Sequence, residues 1–81
     1  MNISYTPKFK RSLASFQISV KTKFYKQVGY LLKNLRHPSL KAKKYSEKQN
    51  IWQARVDKST RFYFLIEDDR YILLDIKKHP K

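Results

Sequence analysis

Two arginines and a histidine in the last third of the chain have side chains suited to cleaving RNA without a metal ion. Cleavage through the RNA's own 2′-hydroxyl needs a group that takes the hydroxyl proton, cations that stabilise the dianionic phosphorane, and an acid for the leaving 5′-oxygen. Arg55 and Arg61 suit the second task, because an arginine fork matches two phosphate oxygens in a way that lysine cannot. His79 is the candidate for proton transfer, because histidine titrates near neutral pH.

Lysines and aromatic side chains elsewhere suit the binding of a nucleic acid strand. The connector of residues 36–50 has no regular period and carries a run of lysines with a tyrosine, which suits a phosphate backbone with one stacked base. The same run is equally typical of a solvated loop. The candidate RNA-binding residues, from the connector and the later strands, are Lys41, Lys43, Lys44, Tyr45, Tyr63 and Lys77.

Several other kinds of active site lack the residues that they need. A single glycine excludes a glycine-rich phosphate loop, and two histidines without any cysteine argue against a structural zinc site. Four of the six carboxylates fall in or beside predicted turns, which leaves Glu47 and Asp75, too few for a two-metal site. No nucleophile elbow of a Ser-His-Asp hydrolase is present. We therefore expect no metal ion and no cofactor.

The residues that could do chemistry lie in a stretch, residues 51–79, whose apolar side chains alternate. Period two is typical of pleated strands, and the pattern predicts three antiparallel strands joined by two tight turns. The other face of these strands carries the arginines, two tyrosines, a carboxylate and the histidine. The nine residues expected to face the core are Trp52, Ala54, Val56, Phe62, Phe64, Ile66, Ile72, Leu74 and Ile76.

The turns predict a register for the three strands. A three-residue turn at residues 67–69 places Arg61 opposite Asp75, and a similar turn at residues 58–60 places Asp57 opposite Arg61. A shift of two residues would instead bring Arg61 opposite Lys77, a like-charge pair that is unfavourable across a sheet. The sequence thus predicts Arg61 between two aspartates, where its role is either phosphate binding or purely structural.

The first half of the chain predicts an edge strand and two helices. Residues 2–5 alternate as a short strand, and Thr6 followed by Pro7 is a typical helix start. Apolar stripes of helical period follow, the second of them from Phe24 through Leu32 to Leu35 with Ser19 as a possible cap, and they predict a helical hairpin that covers the core face of the sheet. The fold class is α+β, and residues 1–81 are expected to form a single domain.

The charge of the chain indicates a polyanionic partner. The formal net charge is +13, and residues 1–50 hold twelve basic side chains against one acidic side chain. A field of this sign attracts nucleic acid, a ribosome or an acidic protein. The N-terminus has no signal-peptide core and no apolar run is long enough to span a bilayer, so no membrane partner is expected. The lack of cysteine fits a reducing cytoplasm, which is the predicted location.

Element order and short motifs of this chain resemble the RelE/ParE superfamily of type II toxin–antitoxin toxins, in its RelE-like branch. The motifs are TPKF near the start, HPSL followed by KAKKY in the connector, IWQARVDKSTRFYF in the first two strands of the meander, and YILLDIKKH at the end. The resemblance covers nearly the whole chain. It implies a β-α-α-β-β-β fold consisting of an N-terminal strand, a helical hairpin and a three-stranded antiparallel meander.

The same resemblance implies an activity and partners. Such a toxin is an endoribonuclease that cuts messenger RNA in the ribosomal A site, inhibits translation, and is held inactive by a cognate antitoxin with an acidic segment. Carried over by position, the residues that act on RNA are Lys43, Lys44, Arg55, Arg61, and Lys78 with His79. Two alternatives stay open: a ParE-like toxin that binds DNA gyrase without cutting RNA, and an inactive member of the fold that only binds nucleic acid.

An apolar patch on the otherwise polar face of the sheet is the candidate surface for the antitoxin. By the predicted alternation, this patch consists of Leu65, Tyr71 and Leu73. Its hydrophobic character within a charged face is the basis of the prediction.

Overall fold

The computed structural model describes residues 1–79 and has an α+β fold, as predicted. Two helices follow a first strand, and four further strands complete one five-stranded sheet in the order β1-β5-β4-β3-β2. Strand β1 runs parallel to β5, and the other neighbours are antiparallel. The elements are β1 (Asn2–Tyr5), α1 (Pro7–Ala14), α2 (Ile18–Lys33), β2 (Lys43–Ser46), β3 (Ile51–Arg55), β4 (Thr60–Glu67) and β5 (Arg70–Lys78).

The helices begin where local capping chemistry allows. The Thr6 hydroxyl accepts a hydrogen bond from the amide of Phe9 at 3.1 Å, and Pro7 occupies the first turn, which confirms the predicted start of α1. Helix α2 starts after Gln17, whose side chain makes no cap bond, so the prediction of Ser19 as cap is wrong. The helix ends at Lys33, before Pro38.

Both helices cover one face of the sheet, as predicted. The rings of Phe9 and Phe24 lie 5.2 Å apart, and the ring of Phe24 lies 5.4 Å from that of Phe62 on β4. One residue of the predicted helical stripe, Leu32, is instead exposed. A polar residue in the middle of α2, Gln27, is buried. In the described part of the chain, no helix is long and apolar enough to cross a membrane.

The lysine-rich connector contains a strand that the sequence pattern did not predict. Strand β2 pairs with β3, with Lys43 opposite Gln53 and Lys44 opposite Trp52. A register shift follows before Ser46, so that Tyr45 lies in a bulge. A four-residue strand with an interrupted alternation is too short for period two to be detected, which is why the connector reads as irregular.

The predicted register of the last hairpin is wrong. The turn has two residues rather than three, since Glu67 lies opposite Arg70, and Asp68 takes a left-handed φ of 52° that aspartate tolerates. Further along, the register shifts once more, so Arg61 lies opposite Lys77 and Tyr63 opposite Asp75. The predicted register of the first hairpin is wrong as well, because Arg61 lies opposite Arg55 and not opposite Asp57. Arg61 therefore does not lie between two aspartates on either side.

A bulge in β5 causes this second shift. Tyr63 faces Asp75 while its neighbour Phe64 faces Leu73, which leaves Leu74 as an extra residue in β5. The carbonyl oxygens of Leu73 and Leu74 accept bonds from the hydroxyl of Thr6 at 3.0 and 3.3 Å, so the residue that caps α1 also holds the bulge.

The bulge exchanges the two faces of the first half of β5. Tyr71 and Leu73 point into the core, whereas Ile72 and Leu74 are only half-buried, so the prediction of the last two as core residues is wrong. Seven of the nine predicted residues do belong to the core or pack against it, namely Trp52, Ala54, Val56, Phe62, Phe64, Ile66 and Ile76.

Candidate functional site

A cleft of about 250 Å³ lies on the face of the sheet that the helices leave open. It brings together side chains from the connector, β3, β4 and the end of β5. Its polar lining consists of Lys41, Lys43, Gln53, Arg55, Arg61 and His79, and we call it the arginine cleft. The three residues predicted to act on a phosphate therefore share one site with two of the predicted lysines.

Arg61 is the most tightly held side chain of the arginine cleft. The residue is 8% exposed, and its Nη1 donates to three carbonyl oxygens of the β3–β4 turn: Asp57 at 2.7 Å, Thr60 at 3.1 Å and Lys58 at 3.3 Å. Because Arg55 lies directly opposite Arg61, these carbonyl dipoles also offset a like-charge pair. One nitrogen of Arg61 thus serves the structure of the turn.

The other two nitrogens of the Arg61 guanidinium are not used by the turn. Within residues 1–79, Nε and Nη2 make no hydrogen bond, and the side chain lines the arginine cleft. Arg61 can hold the turn with Nη1 and bind an anion with its remaining donors, so the structural and the functional role are compatible.

The backbone of Arg55 is fixed on both sides. Its amide donates to the carbonyl of Leu40 at 2.8 Å, and its carbonyl accepts from Nε2 of Gln27 at 2.8 Å. Nε2 of Gln27 also donates to the carbonyl oxygen of Ser39 at 3.0 Å, and Oε1 of Gln27 accepts from the hydroxyl of Ser39 at 2.9 Å. This buried amide joins α2, the connector and β3 behind the cleft.

Gln27 is a residue that sequence reasoning missed. It lies between Phe24 and Val28, so a polar side chain interrupts an apolar stripe on the buried face of α2. A buried amide is stable only when its donors and acceptor are paired, which makes such an interruption a signal of a structural polar contact.

His79 is positioned by the same turn that holds Arg61. Its amide donates to the carbonyl of Ser59 at 2.7 Å, just past the end of β5, while its side chain remains exposed. The other histidine, His37, has a structural environment: its ring stacks on Tyr30 at 3.9 Å and its Nδ1 accepts from the amide of Ser39.

Two of the predicted lysines lie outside the arginine cleft. Lys78 follows Lys77, which lies opposite Arg61, so by strand alternation Lys78 points to the other face of the sheet. Lys44 also points away, since its Nζ lies 5.3 Å from the centre of the Trp52 ring and 3.7 Å from a carboxylate oxygen of Glu47. The predictions of Lys78 as catalytic and Lys44 as RNA-binding therefore disagree with the geometry.

A second cavity of about 400 Å³ lies near the arginine cleft, since its lining includes Tyr63, two residues from Arg61 on β4, and Lys77, which lies opposite Arg61. We call it the tyrosine pocket. Its lining is mostly apolar and aromatic, and consists of Thr6, Lys8, Tyr45, Ile51, Tyr63, Leu74, Asp75 and Lys77. Three of the predicted RNA-binding residues line this pocket, namely Tyr45, Tyr63 and Lys77.

Tyr63 is a buried tyrosine in the lining of the tyrosine pocket. Its ring centre lies 4.9 Å from that of Tyr45, and Nζ of Lys77 lies 5.1 Å from it on another side. Burial raises the pKa of Tyr63, with smaller contributions from Tyr45 and Asp75 that exceed the opposing effect of Arg61. The hydroxyl is therefore protonated at neutral pH and available as a hydrogen-bond donor.

The two aspartates predicted beside Arg61 have other partners. Asp75 accepts from the hydroxyl of Ser12 at 2.7 Å and lies 3.5 Å from Nζ of Lys8, so it ties α1 to β5. Asp57 accepts from the amide of Ser59 at 2.9 Å within the β3–β4 turn. Although burial alone raises the pKa of Asp57, hydrogen bonds from Ser59 and Thr60 and the charge of Lys23 lower it overall.

The predicted antitoxin patch is not at the surface. Leu73 is 0% exposed and Tyr71 is 5% exposed, both within the core, because the bulge at Leu74 turns them inward. Leu65 is half-buried on the open face, opposite Ile72. Leu65, Ile72 and Leu74 are thus half-buried apolar side chains on that face.

Metal-ligand side chains are dispersed in the structure. Within residues 1–79, no three histidine, aspartate or glutamate side chains lie close enough together to hold a metal ion.

Comparison of the whole fold with solved structures gives matches over nearly the full chain. A YoeB/ParE toxin from Agrobacterium tumefaciens is 12% identical with a TM-score of 0.82, and the match covers 99% of this chain and 100% of that one. In a YoeB-YefM toxin-antitoxin complex from Staphylococcus aureus the matching chain is 15% identical with a TM-score of 0.80, over 99% and 98% of the two chains. In an archaeal RelE-RelB complex from Pyrococcus horikoshii it is 13% identical with a TM-score of 0.77, over 95% and 92%.

No protein-family model and no curated protein sequence matches the chain. The structural matches nevertheless confirm the predicted resemblance at the level of the fold. The chain has the fold that these YoeB/ParE, YoeB and RelE toxins share.

Proposed function

We propose that this protein is a single-domain cytoplasmic toxin of a type II toxin–antitoxin pair, and that it cuts ribosome-bound messenger RNA without a metal ion or cofactor. The observation that carries the proposal is the convergence of Arg55, Arg61 and His79 on one open cleft. These residues come from three different strand ends, and their side chains are those that phosphate binding and proton transfer require.

In the proposed reaction, the 2′-oxygen of one nucleotide attacks the adjacent phosphorus, and the bond from phosphorus to the 5′-oxygen breaks. The products are a 2′,3′-cyclic phosphate and a 5′-hydroxyl. Arg55 and the Nε and Nη2 nitrogens of Arg61, which the turn does not use, bind the phosphate oxygens as their negative charge increases. Lys41 and Lys43 add positive potential at the rim.

His79 is the proposed proton carrier, because it is exposed at the mouth of the cleft and held there by its backbone. The reaction needs two proton transfers, one from the 2′-hydroxyl and one to the 5′-oxygen. His79 can provide one of them, and a group of the ribosome or a water molecule completes the set. This requirement is a reason for the cleavage to depend on the ribosome.

The charge of the chain and the structural matches support the proposed partners. A net charge of +13 favours association with ribosomal and messenger RNA and with an acidic antitoxin segment. Two of the matching toxin structures are complexes with YefM and with RelB. By that similarity we propose that a cognate antitoxin holds this toxin inactive.

A second candidate function is binding without cleavage, either to DNA gyrase in the ParE-like manner or to nucleic acid. One observation favours it: among the described residues that line the arginine cleft, His79 is the only imidazole and there is no carboxylate. A cleft with cations and few proton-transfer groups is suited to holding a polyanion.

The test is primer extension on a defined message in a purified translation system. Wild-type protein should produce cuts at ribosome-dependent positions, and Arg55→Ala, Arg61→Ala and His79→Ala should abolish them while remaining folded. His37→Ala and Lys78→Ala are the matched controls outside the cleft, and both should cut. No cuts from folded wild-type protein would overturn the nuclease proposal, and inhibition in a DNA supercoiling assay would then identify gyrase binding.

A further inference from the structure

The tyrosine pocket and the arginine cleft are lined by neighbouring residues of β4 and β5. Arg61 and Tyr63 are two residues apart on the same face of β4, a separation of about 7 Å along an antiparallel strand. Lys77 lies opposite Arg61 and places its Nζ 5.1 Å from the ring of Tyr63. A phosphate bound by Arg61 therefore lies within one or two nucleotides of the pocket.

The pocket has the chemical character of a base-binding site. Tyr45 is 56% exposed and its ring makes a T-shaped contact with that of Tyr63, so much of the Tyr45 side chain is accessible to a ligand. Ile51 and Leu74 supply apolar walls, while Lys77 at the rim supplies positive charge. Proteins that bind single-stranded RNA combine such aromatic rings with a cationic path for the backbone.

A polar group at one side of the pocket can distinguish bases. The carboxylate of Asp75 accepts bonds at Oδ1 from Ser12 and from the amide of Ile76, whereas the one partner of its Oδ2 among residues 1–79 is the exposed side chain of Lys8 at 3.5 Å. A carboxylate accepts hydrogen bonds and does not donate them, so it selects groups that carry protons. Adenine, cytosine and guanine present an exocyclic amino group with two protons, whereas the one base donor of uracil is its ring N3–H, so the preference expected is for an amino group over a single ring N–H.

We infer that the tyrosine pocket binds a nucleobase that carries an amino group, on the same RNA strand whose phosphate occupies the arginine cleft. Tyr45 stacks on the base and Asp75 accepts from its amino group. This inference rests on the proposed action on RNA and adds to it a determinant of base preference. The cationic rim and the closeness to the cleft favour an RNA base over an apolar side chain of a partner protein.

The first test is equilibrium binding of a short fluorescent RNA, measured by anisotropy. A six-nucleotide RNA with 2′-O-methyl groups prevents cleavage, so the measurement reports binding alone. Tyr45→Ala should weaken binding roughly 5- to 100-fold, the range expected for loss of one stacked base, whereas Tyr45→Phe should keep it. Wild-type affinity in Tyr45→Ala would overturn the inference.

Tyr25 offers a matched control for this variant. It is also 56% exposed and also packs edge-on against an aromatic ring, that of Phe24, but it lies on α2 rather than on the open face of the sheet. Tyr25→Ala should bind the RNA within about twofold of wild type. An equal loss in both variants would overturn the inference, because the effect would then follow from removal of any exposed tyrosine.

A second test locates the base. An abasic nucleotide is placed at each position of the RNA in turn, which removes a base and keeps the backbone. At one position, removing the base should weaken binding to wild-type protein as much as the Tyr45→Ala substitution weakens binding of the intact RNA. Removing the same base should not weaken binding to the Tyr45→Ala variant any further. Restoring A, C, G or U at this position should give tighter binding for the first three than for U. Equal binding of all four bases would overturn the role of Asp75.

These measurements separate the pocket from the proposed nuclease activity. Base-dependent RNA binding that Tyr45→Ala removes, together with a failure of wild-type protein to cut messages, supports the pocket and overturns the activity. Ribosome-dependent cutting with RNA affinity unchanged in Tyr45→Ala supports the activity and overturns the pocket. If Tyr45→Ala weakens capture of an acidic antitoxin peptide and leaves RNA affinity unchanged, the pocket belongs to a protein partner and the inference is overturned.

Discussion

Nη1 of Arg61 lies 2.7 Å from the carbonyl oxygen of Asp57, so the residue best suited to bind a phosphate also closes the turn between β3 and β4. The contact is with the backbone of Asp57 and not with its carboxylate. The carboxylate bonds instead to Ser59, whose carbonyl oxygen accepts from the amide of His79 at 2.7 Å. A single turn therefore holds both the phosphate-binding and the proton-transfer candidates.

Replacing Arg61 by lysine should reduce stability as well as RNA binding. Lysine keeps the charge but loses the forked donors, and hydrogen bonds from a charged group contribute about 1.5–3 kcal/mol each at most. We expect the free energy of unfolding to fall by about 1–3 kcal/mol. Urea unfolding followed by Trp52 fluorescence measures this, with Arg55→Lys as the control that should change stability little. An unchanged urea midpoint for Arg61→Lys would contradict the structural role.

Replacing Gln27 by leucine should destabilise the protein and loosen β3 behind the cleft. Leucine has a similar size but leaves the carbonyl of Arg55 and the hydroxyl of Ser39 without partners. We expect a loss of about 2–4 kcal/mol, since each buried unpaired polar group costs about 1–3 kcal/mol. Hydrogen exchange should be faster at the amide of Arg55. The matched control is Gln49→Leu at an exposed position, which should leave both measurements unchanged.

The stability of the β3–β4 turn should depend on acid pH through Asp57. Its pKa in the folded protein is lower than the ordinary value of 3.8, so the folded state favours the charged carboxylate. The resulting stability is fully present above the ordinary pKa and is lost as the pH falls through the lowered one. Melting temperatures of wild type and Asp57→Asn should differ at pH 7, and the difference should shrink as the pH falls through the lowered pKa of Asp57. A constant difference across this range would contradict the prediction.

The two faces of the sheet should differ in how they contribute to RNA affinity. Lys43 lines the cleft and Lys78 points to the other face. Each phosphate contact on single-stranded nucleic acid adds about 0.7 to the slope of log affinity against log salt. Lys43→Ala should therefore make the salt dependence shallower by about 0.7 in slope, and Lys78→Ala should leave the slope unchanged. Titrations at several salt concentrations measure both, and equal slopes for the two variants would show that neither face is preferred.

Local features of the fold were predictable from the sequence because they depend on neighbouring residues. Thr6 and Pro7 specify the start of α1 by capping and by a fixed φ angle. The alternation from Ile51 onward predicts strands, and it places Arg55 and Arg61 together on the open face. Side-chain type alone made these arginines and His79 candidates for phosphate chemistry.

Tertiary structure decided the features that depend on residues far apart in the chain. The bulge at Leu74 is held by Thr6 from the other end of the chain, and one extra residue exchanges the faces of a strand. That is why Leu73 is buried and why Arg61 faces Lys77 instead of Asp75. Strand β2 likewise depends on its pairing with β3, and Gln27 is stable in the interior because it bonds to the carbonyl of Arg55 on β3. The local pattern of apolar residues does not predict either contact.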